Sequence, residues 1–298
     1  MFKLENFIPI NSNVNFLKLR KPFIFLSSIF IIFTIVLLFT RGLNLGIDFR
    51  GGLLLEAEIK DTNISNLRSI LSDKYDDVTI QEFGSKNNVV IKLQNNQNID
   101  NITLITNIKN LIDEFVIEFR RSEFVGPTIS KELFLSGLKA ISFALISILI
   151  YIWFRFEWHF GIGAIVALLH DVLFTLGILS ILKIDFNLST IAAILTIAGY
   201  SINDTVVIFD RVRENLRKYK KMELVELFNL SLNNTLARTI MTSVTTLIAL
   251  FSLFILGGDV IRSFSFTMII GVLIGTYSSI FISIPTLLLF KFRQIDQD

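Results

Sequence analysis

Four ionisable side chains stand where their apolar neighbours call for hydrocarbon: His170 and Asp171 in "ALLHDVLFTLG", Asp204 in "GYSINDTVVIFDRVREN" and Arg238 in "TLARTIMTSVTTL". A carboxylate at mid-membrane costs about 2.5–3.5 kcal/mol on insertion scales, and acids tolerated there mark ion or substrate pathways. Reversible protonation is the chemistry open to them. Removal from water penalises a charged carboxylate while a nearby guanidinium favours it, so the two forms can be balanced. A proton crossing the membrane potential releases about 2.3 kcal/mol per 100 mV, comparable with the gap between two packings of a helix bundle. Asp204 is expected to bind and release a translocated proton, with Arg238 tuning or gating it. The proton is the coupling ion, and no cofactor is expected.

Spacing supports the pairing of these two. On a 100° wheel Thr196, Tyr200, Asn203, Asp204 and Val207 share one face of their segment. Arg238, Thr242, Thr245, Thr246 and Ala249 share one face of the next. Such stripes can meet only inside a bundle. Asp171 lies about ten residues inside its own segment, near mid-depth at 1.5 Å per residue, and is a possible second member of a relay. His170 reads as helix–helix glue.

The elements that position these groups are membrane helices. The chain is 52% hydrophobic with a mean hydropathy of +0.63, and six segments approach the roughly 20 apolar residues that a bilayer core takes. They run over about 22–40, 133–153, 161–182, 188–209, 239–256 and 264–290. The first is too long for a signal-peptide core, and no small-x-small site follows it in "TRGLNLG", so it reads as a retained span. In the short connections and ends, fourteen Lys and Arg fall on one side against Lys183 and Arg262 on the other. Both termini are therefore expected in the cytoplasm. Gly271, Gly275 and Ser279 form a small-xxx-small packing row in the sixth span.

Between the first two spans, residues 41–130 read as a separate extracytoplasmic domain. Strands at 53–59, 77–83, about 89–94 and 116–124 alternate with helices at 63–74 and 100–115. This βαββαβ order predicts a ferredoxin-like α+β sandwich. "GIDFRGG", with Gly46, Asp48, Gly51 and Gly52, leads into it. Its glycine spacing fits neither a dinucleotide nor a P-loop cradle, and a strand follows where those motifs need a helix; a tight turn feeding the sheet is expected. The fold class is thus an α-helical polytopic membrane protein, with the α+β domain inserted after the first helix of a six-helix bundle. After the fourth span a cytoplasmic loop is expected over 210–238. It comprises the basic run "DRVRENLRKYKK", read as an anchor to anionic lipid, and an interfacial helix at 222–237 with Leu224, Leu227, Phe228 and Leu232 on one face.

Several function classes are excluded. Net charge is only +2 and the basic residues are scattered, so no nucleic-acid face is expected. There is no cysteine, and the two histidines, His159 and His170, are poorly spaced for a metal. An intramembrane protease would need a GxGD pair, HExxH or a Ser-His pair; only an aspartyl dyad mimicked by Asp171 and Asp204 remains of that reading, so no enzyme is expected. A passive assembly factor would have no use for Asp204.

"GIDFRGG", "VGPTISKEL", "ALLHDV", "GYSINDTVVIFDRVREN", "TLARTIMTSVTTL" and "FILGGDVIRSFSFTMIIGVLIGTYSSIF", in that order, resemble the SecD/SecF family of bacterial protein-export membrane proteins. The match runs from about residue 16 to 290. The resemblance implies membership of the resistance-nodulation-division superfamily, whose unit has twelve spans in two halves, of which this chain supplies one. It implies SecD as the other half, the SecYEG channel and an emerging preprotein as partners, and the bacterial cytoplasmic membrane as location. The family's proton-coupling aspartate and arginine fall on Asp204 and Arg238, while Asp171 is left unexplained. A proton-driven small-molecule exporter subunit of the same superfamily is the alternative.

Overall fold

A computed structural model describes residues 13–60, 64–75, 78–83, 85–93 and 101–290. The chain divides into two compact units, one of residues up to 44, 141–184 and 189 onward, the other of residues 45–140 with 185–188. Each is described by itself.

In the second unit β1 (Gly52–Ile59), α3 (Ile64–Ser72), β2 (Thr79–Phe83), β3 (Ser85–Leu93), α4 (Asn101–Ile112) and β4 (Val116–Val125) follow a short helix α2 (Ile47–Arg50). The sheet order is β2-β3-β1-β4 with every neighbour antiparallel, which is the ferredoxin-like arrangement. Alternation decides which face of β1 is covered: Leu53, Leu55, Ala57 and Ile59 point into the core. Leu67 and Leu71 of α3, and Leu104, Ile108 and Ile112 of α4, recur at helical spacing and complete that core. The opposite face of β1 is polar, with Glu58 accepting from Arg120 at 2.5 Å and Glu56 from Arg121 at 3.4 Å. Such surface pairs contribute at most about 1 kcal/mol each.

"GIDFRGG" is more structured than the expected turn. Its first part closes one helical turn, α2, and the chain then reverses through Gly51 and Gly52 at φ 77° and 122°, conformations that residues with a Cβ rarely adopt. The segment 185–188 is clamped to this motif. Gly46 N–H donates to Phe186 O at 2.8 Å, Leu188 N–H donates to Asp48 Oδ2 at 2.9 Å, Lys92 pairs with Asp185, and the Phe49 ring lies 5.7 Å from that of Phe186. A Cβ on Gly46 would lie 3.0 Å from that of Asn187, so the close approach needs a glycine. Asp48→Ala is expected to loosen the clamp by about 1.5–3 kcal/mol, the worth of a charged hydrogen bond. Faster hydrogen exchange at the Leu188 amide would report it, and unchanged exchange would show that the carboxylate is dispensable.

The first unit is built on α1 (Arg20–Thr40), the end of α5 (Pro127–Arg155), α6 (Trp158–Leu182), α7 (Leu188–Lys218), α8 (Leu224–Leu256) and α9 (Gly258–Ser278). All six spans are long and apolar enough to cross a bilayer. α5 is the least covered: Phe143, Trp153 and Phe154 are 75–88% exposed, side chains suited to hydrocarbon. The sixth span is not one regular helix. It passes into π-helix at Ser279–Ser283 before α10 (Ile284–Leu287), because Pro285 has no N–H and its ring displaces the carbonyl four residues back.

Two expectations are corrected. There is no loop over 210–238: α7 runs on to Lys218, α8 begins at Leu224, and only residues 219–223 connect them. The stretch 222–237 is no separate interfacial helix either, since α8 is continuous through it. Leu227, Phe228 and Leu232 pack against Ile208, Phe209 and Val212, so that apolar face is covered by protein rather than by lipid headgroups.

Small residues set the close crossings. A Cβ on Gly271 of α9 would lie 2.2 Å from Ile197 of α7, and one on Gly275 would lie 3.0 Å from the Ser201 Cβ. Gly271→Ala should therefore lower stability by about 1–3 kcal/mol, the usual cost of overpacking. Gly199→Ala, with nothing within 4 Å, should be neutral or stabilising by up to about 1 kcal/mol. Thermal unfolding of the two variants in detergent should move in opposite directions.

Candidate functional site

Asp204 sits in the middle of α7, 4% exposed, and its Oδ2 has no hydrogen-bond partner. A buried carboxylate oxygen without a hydrogen-bond donor is costly in hydrocarbon. Its electrostatic neighbours are Arg238 and Thr242 of α8. Arg238 is exposed and makes no direct ion pair with it among the described residues. The Thr242 hydroxyl is directed to backbone carbonyls, 3.1 Å from Arg238 O and 2.9 Å from Thr239 O. Helix geometry places Arg238 and Thr242 four residues apart on one face of α8, which brings both to the same side of α7.

The polar stripes predicted from the wheel straddle the edge of the unit. Thr196 and Asn203 of α7 are exposed, as are Arg238, Thr245 and Ala249 of α8; Tyr200 is half-buried, and its OH lacks a partner. An exposed polar stripe on helices that cross a bilayer is costly against lipid and marks a face that another polar or protein surface covers.

Asp171 is fully buried and belongs to a different cluster. Its Oδ2 accepts from Ser201 Oγ at 2.5 Å and from Ser278 Oγ at 2.8 Å, and its Oδ1 lies 3.0 Å from His170 Nδ1. His170 Nε2 is 3.1 Å from Ser27 Oγ, which is 2.8 Å from Tyr277 OH. α6, α7 and α9 thus meet on one carboxylate, and α1 joins the cluster through His170. His170 bonds α6 to α1 through Nε2, as helix–helix glue does, and its Nδ1 meets Asp171. Ser27, Ser201, Ser278 and Tyr277 escaped sequence reasoning because serine and tyrosine barely disturb hydropathy. The one available signal was Ser201, one helical turn before Asp204 on a neighbouring face.

Gly46, Asp48, Gly51 and Gly52 belong to the other unit, where Gly46 and Asp48 serve the clamp and Gly51 and Gly52 the chain reversal described above. No group of three or more His, Asp or Glu side chains that could hold a metal occurs among the described residues.

The comparisons converge. The family model described as "Protein export membrane protein SecD/SecF, C-terminal" matches residues 105–293, and the SecD/SecF GG motif matches 36–62, the stretch containing Gly46 to Gly52. A protein translocase subunit SecF of Rickettsia rickettsii is 42% identical over 295 residues, covering 97% of this chain and 96% of the relative. One from Rickettsia akari is 46% identical over 258 residues, covering 85% and 84%. The crystal structure of SecDF, a translocon-associated membrane protein from Thermus thermophilus, superposes with a TM-score of 0.87 at 33% identity. It is matched over 96% of this chain but 40% of its own longer chain. A SecDF structure in a super-membrane-facing form gives 0.71 at the same identity and coverage. On sequence, motif and fold together, the chain belongs to the SecD/SecF family of protein-export membrane proteins.

Proposed function

We propose that this chain is the SecF-type half of a proton-driven machine that completes protein export through the Sec pathway. Asp204 takes up and releases the driving proton, and Arg238 competes with that proton for the carboxylate. The observation that carries this reading is the unpartnered Oδ2 of buried Asp204 beside a polar stripe left open at the edge of the unit. A SecD-type half covers the stripe, closing Asp204 and Arg238 between two halves of a twelve-span bundle. Support comes from the coverage figures: the chain accounts for 40% of a SecDF chain, leaving room for a second half. Protonation removes the attraction of Asp204 for Arg238, so α7 and α8 can repack; the membrane potential supplies the work.

In this reading both termini lie in the cytoplasm of a bacterium, the ferredoxin-like domain lies outside the cytoplasmic membrane, and that domain engages a preprotein leaving the SecYEG channel. The basic run from Asp210 to Lys221 lies at the anionic inner leaflet. There Asp210 accepts from Arg155 at 3.1 Å, and the Arg155 and Arg213 guanidinium groups lie 5.0 and 5.4 Å from the Phe156 ring.

The test is co-reconstitution of the chain with a SecD-type partner and the channel in vesicles holding a stalled preprotein. A proton gradient imposed after ATP is exhausted should advance the preprotein with the native chain. No advance, or advance without any gradient, would contradict the proposal.

A further inference from the structure

The contacts around Asp171 support arrangements that differ by one proton. In the first, Asp171 Oδ2 accepts from both Ser201 and Ser278, the Ser278 hydroxyl forgoing the Gly275 carbonyl 3.2 Å away, and carries no hydrogen. At the far end Tyr277 OH donates to the carbonyl of Phe23 at 3.0 Å, and a carbonyl can only accept. Tyr277 has then spent its hydrogen, so the 2.8 Å contact with Ser27 has Ser27 as donor. Ser27 in turn accepts from His170, which places a hydrogen on Nε2. With Nε2 protonated, the 3.0 Å contact between Nδ1 and Asp171 Oδ1 needs one further proton, carried by either atom. In this arrangement every other contact is satisfied and the pair is neutral overall, as a site with 0% exposure at Asp171 and 6% at His170 requires.

The same heavy atoms support a second arrangement. If Tyr277 turns its hydrogen to Ser27, Ser27 donates to His170 Nε2, and Nδ1–H donates to an ionised Asp171. That arrangement holds one proton fewer. Passing from the first to the second moves the Nε2 hydrogen to Ser27 and the Ser27 hydrogen to Tyr277, and releases the hydrogen that Tyr277 had given to the Phe23 carbonyl as one proton to water at that partly exposed end. We propose that His170 and Asp171 store one proton, loaded and emptied by reversal of the Ser27–Tyr277 hydroxyl chain. The titratable group facing the pair is Tyr277 from α9; Asp204 lies one turn beyond Ser201 on a neighbouring face of α7, and α1 contributes only the Ser27 hydroxyl among the described residues. The store goes beyond the coupling role of Asp204 and stands without it, because Asp204 makes none of the cluster's contacts.

The chain has only two histidines, so nitrogen-15 spectra of the full chain in lipid bilayers can be assigned with a single variant, His159→Gln. The expected result is that His170 Nε2 carries hydrogen at the acid end of a pH series and loses it at the alkaline end, with Nδ1 protonated there. In Asp171→Asn the amide oxygen accepts from Ser201 and Ser278 while its NH₂ donates to Nδ1. This mimics the loaded state, so Nε2 should stay protonated throughout. A native His170 Nε2 that never changes state, or one that titrates identically in Asp171→Asn, would overturn the store. If the amide variant does not fold, the native series decides alone. Proton-driven export plays no part in the readout, so failure of the store and failure of the Asp204 assignment are distinguishable.

Discussion

Asp204→Asn is expected to abolish the proton-driven phase of export while leaving the ATP-driven phase intact. The amide is nearly isosteric with the protonated acid, so α7 should fold and pack as it does in the protonated state; what it cannot do is exchange a proton. One proton moved through 100 mV is worth about 2.3 kcal/mol. With about 1.4 kcal/mol per tenfold, loss of that work removes a directional bias of about 50-fold. Asp204→Glu keeps the chemistry and should retain part of the rate. Arg238→Lys keeps the charge, but as a compact ammonium without a planar fork, and should also be partial. Arg238→Gln should behave as Asp204→Asn does, because the carboxylate then has no cation to exchange for the proton. Preprotein advance per unit of imposed gradient measures all four. Equal advance in the native chain and Asp204→Asn would remove Asp204 from the mechanism.

The largest stability effect is expected at Asp171. Truncation to alanine leaves Ser201 and His170 facing a cavity with no acceptor and Ser278 with only its 3.2 Å contact to the Gly275 carbonyl, and removing one partner of a buried hydrogen-bonded pair in this way costs about 3–5 kcal/mol. Asp171→Asn preserves the acceptor and donor pattern and should lose much less, about 1 kcal/mol or below. Since the cluster joins α1, α6, α7 and α9, the alanine variant should also expose those helices to proteolysis together. Equal unfolding temperatures for the alanine and asparagine variants would show that the hydrogen-bond pattern does not hold the bundle.

The legible parts of the fold were those written in local pattern. Hydropathy marks the six spans because every backbone polar group in a bilayer must be satisfied within a helix. The alternation in "LLLEAEI" and the helical spacing of Leu104, Ile108 and Ile112 carry the βαββαβ order, and that order leads to the observed sheet. Helix ends were less legible: the polar run after Phe209 ends the apolar signal but not the helix, since Arg, Glu and Lys are good helix formers. The site divides along the same line. Asp171, Asp204 and Arg238 stand out as charges among apolar neighbours. Their surroundings do not, because Ser201 and Ser278 come from helices far apart in sequence and the clamp of residues 185–188 on Gly46 and Asp48 is a long-range contact.

Infrared difference spectroscopy of the co-reconstituted machine, recorded as a proton gradient is switched on and off, reads protonation of Asp204 itself. A carboxylic-acid carbonyl band should appear and vanish with the gradient in the native chain, and the Asp204 component of it should be missing in Asp204→Asn. A gradient-dependent spectrum that is unchanged in Asp204→Asn, or no band in a native chain that still moves preprotein, would contradict the account.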